Sequence, residues 1–319
     1  MGAGRKYQRP ELSSAASAVS FRFFAVIVNH IAELNSAIPE FGSCATRRNE
    51  KPVVSTADIR HHYDTFAHIY PRFWGEHIHH GLFVHGNEQP AEAQVALLEH
   101  CLELLQPRKQ ALVLDVGCGH GGTAVHLAST RGWRVHGFTI SETQARLAMR
   151  NAARAGVSAR TSFFVADANV MSLPEAKYDV VWTMECTEHL ADKAAFIARA
   201  AAALRAGGQM LIAAWTGSME SARVRGVAEG FLCPSLETTD DYVQQLRSAG
   251  VRITTVEDLT VLVERTWIIC RERAQAMRFV LPLMPRSVRN FVQAIDAMID
   301  AYRSGDLRYS VIVGETHSP

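Results

Sequence analysis

The sequence predicts an α/β fold: a seven-stranded, mostly parallel sheet with helices on both faces and a helical lid inserted before the last strand. Three observations carry the expectation. Residues 111–122 read ALVLDVGCGHGG, an apolar run ending in a glycine-dense turn, which suits a buried parallel strand feeding a helix. Strand-like and helix-like segments then alternate to about residue 256, the pattern of a parallel sheet covered on both sides. Two further helical segments, near 264–281 and 287–303, precede a last strand at 307–313. The glycine turn after the first strand makes the sheet Rossmann-like.

Residues 1–54 carry Arg5, Lys6 and Arg9, an Ala/Ser-rich run and an apolar patch at 23–28. They read as a poorly ordered or accessory extension with one short helix near 21–34; a degenerate targeting peptide is the alternative. The folded domain is expected over 55–319, with lid elements at about 55–88 and 216–305. Ser55 suits an N-cap, Asp58 falls in the first turn, and Pro71 ends that helix after Tyr70. The stretch FWGEHIHHG at 73–81 is too aromatic and histidine-rich for an ordinary loop. At 90–106 Pro90 opens an amphipathic helix whose apolar face is Leu97, Leu98, Cys101, Leu102 and Leu105, and Pro107 stops it. Further strands are expected at 134–138, 162–165, 178–183, 209–215 and 251–256. Ser141 opens a helix that Gly156 closes, 192–205 is an Ala-rich helix ended by Gly207 and Gly208, and 239–248 is a helix before Gly250. In 287–303, Phe291, Val292, Ile295, Met298, Ile299 and Tyr302 recur at helical spacing.

The 319 residues are 48% hydrophobic, enough for one large domain or one domain with elaborations. A net charge of +1 gives no field for nucleic acid. Cys44, Cys101, Cys118, Cys186, Cys233 and Cys270 are scattered without a C-x-x-C pair, as suits reduced thiols in the cytoplasm. No apolar stretch is long enough to span a bilayer. Arg271, Arg273, Arg278, Arg286 and Arg289 beside Phe279, Leu281 and Met284 allow peripheral membrane contact, although a lid helix packed on the sheet is the preferred reading. Monomer and homodimer both stay open.

In open α/β sheets a ligand lies beyond the carboxyl ends of the strands, where strand order reverses. The candidates are therefore the residues that follow each strand. Gly117, Gly119 and Gly122 satisfy G-x-G-x-x-G, a turn at which a cofactor with an adenosine can approach the main chain. A dinucleotide also wants a carboxylate about 20 residues on, and the second strand ends His136-Gly137-Phe138-Thr139-Ile140 with none before Glu142. The wider form V-L-D-x-G-C-G-x-G-G resembles the first motif of class I S-adenosylmethionine-dependent methyltransferases. WGEHIHHG (74–81), GFTIS (137–141) followed by Gln144, YDVVWTMECTEHLADK (178–193) and TTDDY (238–242) are similar to the signatures of the tocopherol C-methyltransferase and sterol methyltransferase branch. The branch's Ser-Gly before Glu-His is Cys186-Thr187 here.

The resemblance implies S-adenosylmethionine as cofactor and a small lipophilic acceptor, such as a ring carbon of a prenylated phenol. Alkaloid, sugar or polyketide N- or O-methylation, and a cyclase that transfers no methyl, are the alternatives. By position it implies that Asp115, Gly117, Cys118 and Gly119 border the cofactor's methionine end, that Thr139, Ile140 and Gln144 hold the ribose, and that Asp167 and Ala168 face the adenine. Tyr63, His79 and His80 should close over it. Gln144 can alternatively complete a Ser141 capping box, and Asp167 can be a turn residue. Glu185, Glu188 and His189 follow the fourth strand and are the candidates for handling a proton, with Glu185 also suited to the cofactor's amino group. His189 has the reference pKa for a base near neutrality. His77-x-His79-His80 invites a metal reading, but no carboxylate or thiol set accompanies it, and no metal is expected.

Overall fold

The computed structural model describes residues 54–67, 77–106, 109–276, 278–279, 281–283 and 286–317, all within one unit, Lys51–Pro319. The expectations for residues 1–53, and for Pro71, Phe73, Trp74, Gly75, Glu76 and Cys44, lie outside the described residues. So do those for Pro107 and Met284.

The sheet grows from β1 (Leu112–Val116), whose side chains alternate between two cores. Val113 joins Leu97, Leu98 and Leu127 on one face, and Leu114 joins Phe196, Ile197 and Leu246 on the other. A strand buried on both faces must be apolar throughout, which explains the uninterrupted run in the sequence. The other strands are β2 (Arg134–Thr139), β3 (Thr161–Val165), β4 (Tyr178–Met184), β5 (Leu204–Gly217), β6 (Val251–Asp258) and β7 (Leu307–Thr316), in the spatial order β3-β2-β1-β4-β5-β7-β6. β1 pairs in parallel with β2 and β4, setting Asp115 opposite Gly137 and Trp182. β7 runs antiparallel between β5 and β6. Strand order reverses between β1 and β4, so a crevice opens beyond their carboxyl ends.

The helices are α1 (Thr56–Phe66), α2 (Pro90–Glu103), α3 (Gly122–Thr130), α4 (Glu142–Arg154), α5 (Lys193–Ala203), α6 (Ala222–Gly230), α7 (Thr239–Ser248), the single turn α8 (Thr260–Val263), α9 (Arg265–Ala276) and α10 (Arg286–Ser304). Ser55 caps α1 with Asp58 in a reciprocal box, Ser141 caps α4, and Thr238 caps α7. Leu97 and Leu98 of α2 and Leu127 of α3 bury against one side of the sheet. Phe196 and Ile197 of α5 and Tyr242 and Leu246 of α7 bury against the other. On the first side, α6, α9 and α10 bury Val224, Val227, Trp267, Ile295, Met298, Ile299 and Tyr302, forming the helical layer expected before the last strand. Phe279 stays exposed. Among the described residues no helix is long and apolar enough to cross a membrane.

Three details differ from the sequence reading. The Ala-rich helix ends at Ala203. Residues 204–208 already belong to β5, where Leu204 pairs with Tyr178 before the register shifts to Val180 and Gln209. α6 has no local signal, since two glycines weaken ARVRGVAEG as a helix, and it forms by packing on α10. Finally, α7 and β6 lie inside the 216–305 span but belong to the sheet and its second face, so within that span only α6 and α8 to α10 form the helical layer on the first face.

Candidate active site

The glycine turn after β1 is tied down by Gly117 and Cys118, whose N–H groups donate to Phe138 O at 2.8 and 2.9 Å. Its glycines do different work. At Gly117, φ is +78° and a Cβ would sit 2.5 Å from Cβ and Sγ of Cys186, so glycine is needed to pack the turn after β4. At Gly119, φ is +51° and a Cβ would meet only Ile78 Cδ1 at 3.8 Å and Gly117 O at 4.0 Å. The space before Gly119 is open crevice, and α3 aims its positive N-terminal end toward it. Asp115 is 3% exposed at the end of β1. Burial lifts its carboxyl from 3.8 to about 7, and among the described residues Oδ2 has no hydrogen-bond partner.

After β2, Thr139 Oγ1 donates to Gln144 Oε1 at 2.6 Å, and Gln144 N donates to Ser141 Oγ at 3.0 Å. Only half of the expected capping box forms, because the Gln144 side chain turns to Thr139. Ser141 Oγ instead donates to Asp64 Oδ1 at 2.5 Å, which anchors α1 over the start of α4. After β3, Asp167 Oδ1 accepts from N and Nδ2 of Asn169, both at 2.9 Å. It is therefore a turn residue that still borders the crevice.

These elements border a cleft of about 1020 Å³, counted to its open mouth. Tyr63, His79, Asp115, Gly117, Cys118, Gly119, Thr139, Ile140, Gln144, Asp167, Ala168, Glu185 and His189 all line it. His80 and Glu188 do not. Sequence reasoning also missed Ile59, His77, Ile78 and Asn169 as lining residues. Ile59 lies one helical turn before Tyr63, the only signal that could have found it.

A second cavity of about 510 Å³ adjoins the first. Its walls are His62, Tyr63, Ile78, Glu185, His189, Trp215, Phe231, Trp267 and Phe291, and Tyr63, Ile78, Glu185 and His189 belong to both cavities. Trp215, Phe231 and Trp267 form an edge-to-face cluster with centroids 5.0–6.0 Å apart. Among the described residues, no lysine or arginine lines this cavity. The four aromatic walls come from β5, the end of α6, α9 and α10, so no local pattern announced them.

At the junction, Tyr63 Oη lies 2.8 Å from His189 Nε2, and His189 Nδ1 lies 3.2 Å from Leu232 O. A carbonyl only accepts, so Nδ1 carries the ring proton and the Nε2 lone pair receives the Tyr63 hydroxyl. Burial pushes His189 down to about 4, so it is neutral at physiological pH, in contrast to the expectation of a base titrating near neutrality. Leu232 and Glu185 have φ of +56° and +51°. Two non-glycine residues held in the left-handed region mark a strained functional site. Burial works against the charge of Glu185, but His80, through its ring and its main-chain N–H, and His79 hold its carboxyl below the ordinary value. Glu185 is thus an anion bordering both cavities.

Glu188 and His80 stand elsewhere than expected. Glu188 is 1% exposed, borders neither cavity, and accepts Trp215 N at 2.7 Å through Oε1. Burial raises it to about 8. Its place is beneath the end of β5, neither solvent-facing nor facing the acceptor cavity. His80 is fully buried behind Glu185. Among the described residues, no group of three or more His, Cys, Asp or Glu is placed to hold a metal ion.

The sequence profile of the mycolic acid cyclopropane synthetase family matches residues 50–281. The chain belongs to that family. The 27-O-demethylrifamycin SV methyltransferase of Amycolatopsis mediterranei strain S699 is 33% identical over 223 residues, 68% of this chain and 81% of the relative. The chloroplastic tocopherol O-methyltransferase of Arabidopsis thaliana is 28% identical over 279 residues, 80% of each chain. A mycolic acid cyclopropane synthase crystallised with SAH and CTAB shares the fold at a TM-score of 0.72 and 20% identity, covering 84% of this chain and 99% of its own. The chain is accordingly a methyltransferase of this family, and its cofactor is S-adenosylmethionine. The cleft fits that cofactor: the partnerless Oδ2 of buried Asp115 suits an ammonium group, and the open space at Gly119 admits a ligand to the main chain.

Proposed function

We propose that the enzyme methylates a small, neutral, lipophilic acceptor of the prenylated phenol type, at a ring carbon activated by loss of the phenol proton. The observation that carries this reading is the aromatic cavity without lysine or arginine that shares Tyr63, Glu185 and His189 with the cofactor cleft. Such walls favour a flat, apolar ring and offer nothing to a phosphate or carboxylate.

S-adenosylmethionine supplies an electrophilic methyl group; the chain's own residues align the acceptor and manage one proton. Tyr63 donates to His189 Nε2, and a hydroxyl that donates can also accept, here from an acceptor hydroxyl. When that proton passes to Tyr63, the Tyr63 proton passes to Nε2, while Leu232 O keeps hold of Nδ1–H. Once the carbon carries the methyl group, its ring C–H breaks and that proton returns to the phenol oxygen, so the single proton released overall is the one on His189. Glu185 faces the junction as a fixed anion, suited to positive charge on the cofactor or acceptor side. Positioned bases contribute roughly 10²–10⁴-fold. His189→Ala and Tyr63→Phe should therefore each lower turnover substantially without abolishing it.

A second reading, transfer to the phenol oxygen, is favoured by the names of the rifamycin and tocopherol relatives, and the same base serves it, because a phenolate shares its charge between oxygen and ring carbons. The test is methyl transfer from labelled cofactor to a panel of lipophilic phenols, amines, alkenes and prenyl diphosphates, with the methylated atom located by NMR. Phenols should be methylated fastest. A preference for diphosphates, or no methyl transfer to any phenol, overturns the reading.

A further inference from the structure

Behind the wall between the two cavities lies a run of buried side chains that proton transfer does not use. His80 is fully buried. Its ring centroid lies 5.4 Å from that of Trp267 and 4.9 Å from that of Tyr309. Trp267 Nε1 donates to His80 Nε2 at 2.5 Å, and Tyr302 Oη stands 3.3 Å from the same nitrogen. An indole N–H can only donate. Nε2 is therefore the lone-pair nitrogen, and the ring proton lies on Nδ1, which stands 2.9 Å from Glu185 Oε1 without the alignment of a hydrogen bond, so that it acts on the carboxylate as a close dipole. The same oxygen accepts His80 N at 2.7 Å and Tyr309 Oη at 3.0 Å.

Two hydrogen bonds and the nearby Nδ1–H dipole thus act on Glu185 Oε1, and the direction of that dipole depends on Trp267. Removing the indole N–H would leave His80 free to carry its proton on Nε2, toward Tyr302, and Nδ1 would then present a lone pair to a carboxylate. Trp267 is 2% exposed and lines the acceptor cavity but not the cofactor cleft. Glu185 lines both.

We infer that Trp267 is a positioning residue for the cofactor cleft: by fixing the tautomer of His80 it fixes the Glu185 carboxylate, and so couples occupancy of the acceptor cavity to affinity for the cofactor. Any ligand that presses on the Trp267 ring acts on the same hydrogen bond, and linkage makes the effect reciprocal. The inference rests on the assignment of the two cavities given above.

The test uses the full chain and S-adenosylhomocysteine as the probe, measured by calorimetry. Trp267→Phe keeps an aromatic ring and removes the N–H. It should weaken binding about three- to tenfold, the worth of one buried hydrogen bond. Trp133→Phe removes the N–H of another buried indole, one that lines neither cavity and does not reach His80, and should change that affinity less than about twofold. The second readout is the tautomer of His80 in ¹⁵N-histidine-labelled protein. Wild type should show Nδ1 protonated, and Trp267→Phe should show Nε2 protonation growing in. Unchanged affinity in Trp267→Phe, or equal weakening by Trp133→Phe, overturns the inference. If Trp267→Phe does not fold, the wild-type spectrum decides: His80 protonated on Nε2 overturns it, and protonation on Nδ1 upholds it. Wild type failing to bind S-adenosylhomocysteine would instead strike the assignment of the cleft.

Discussion

Asp115→Asn should make the cofactor-free protein more stable and the cofactor site worse, with a pH signature that separates the two effects. The Asp115 carboxyl is 3% exposed, and burial lifts its pKa from 3.8 to about 7. At about 1.36 kcal/mol per pH unit, ionising it inside the fold costs about 4 kcal/mol more than ionising it in the unfolded chain. The sign follows from proton counts. Below pH 3.8 the group is protonated in both states and there is no penalty. Between 3.8 and about 7 the folded protein holds a proton that the unfolded chain has released, so stability falls as pH rises. Above about 7 the penalty is complete. Asn never ionises, so its advantage should be about 2.7 kcal/mol larger at pH 8 than at pH 5. The buried amide carries a cost of its own, but that cost does not vary with pH. At about 2 °C per kcal/mol for a chain of this size, the gap in melting temperature should widen by about 5 °C between the two pH values. Affinity for S-adenosylhomocysteine should fall about ten- to a hundredfold, as loss of a charged partner requires. Melting curves of both proteins at pH 5 and pH 8, without cofactor, check the first part and calorimetry the second. A gap that does not widen with pH would refute the reasoning, because Asp115 would then be an ordinary carboxylate.

Turnover at saturating substrates should stay level from pH 8 to about pH 5.5, because burial holds His189 at about 4; a pH profile that halves near 6.5 would mean that a solvated imidazole is the base. Gly119→Ala should place its methyl group in the open cleft and cut cofactor affinity, with melting lowered by only a few degrees for the left-handed backbone, about 1–2 kcal/mol. Gly117→Ala should instead cost stability, since its Cβ would lie 2.5 Å from Cys186; calorimetry and melting curves distinguish the pair. A chain beginning at Lys51 should keep its melting temperature and turnover within error, as the family match starts at residue 50; a fall of many degrees would show that the preceding residues contribute to the core.

What the sequence made legible is what is local. β1 could be read because a doubly buried strand leaves an unbroken apolar run, and the cofactor turn could be read because its chemistry needs glycines at fixed spacing. The start of β5 was hidden because Gly207 and Gly208 act as stop signals in sequence, whereas Leu204 is held by pairing with Tyr178 on a neighbouring strand. The acceptor walls were hidden for a similar reason: Trp215, Phe231, Trp267 and Phe291 look like ordinary core aromatics until four elements bring them together. Glu188 was misjudged by proximity. It sits three residues from Glu185, but the left-handed backbone at Glu185 and the tight turn after it let the two carboxylates serve different neighbours. His189 shows a limit of reference pKa values, which carry no information about burial.

The position of β7 bears on how the protein is made. Residues 307–316 leave the ribosome after every other strand, yet they fill the gap between β5 and β6 and hydrogen-bond to both. Until they arrive, β5 has a bare edge and β6 has no partner in the sheet, so the nascent chain presents two unsatisfied edges of the kind that pair wrongly. The same segment brings Tyr309, one of the donors that settle Glu185. Completion of the sheet therefore comes late in synthesis and brings Tyr309 to Glu185 with it, and a product cut short before Leu307 would lack both.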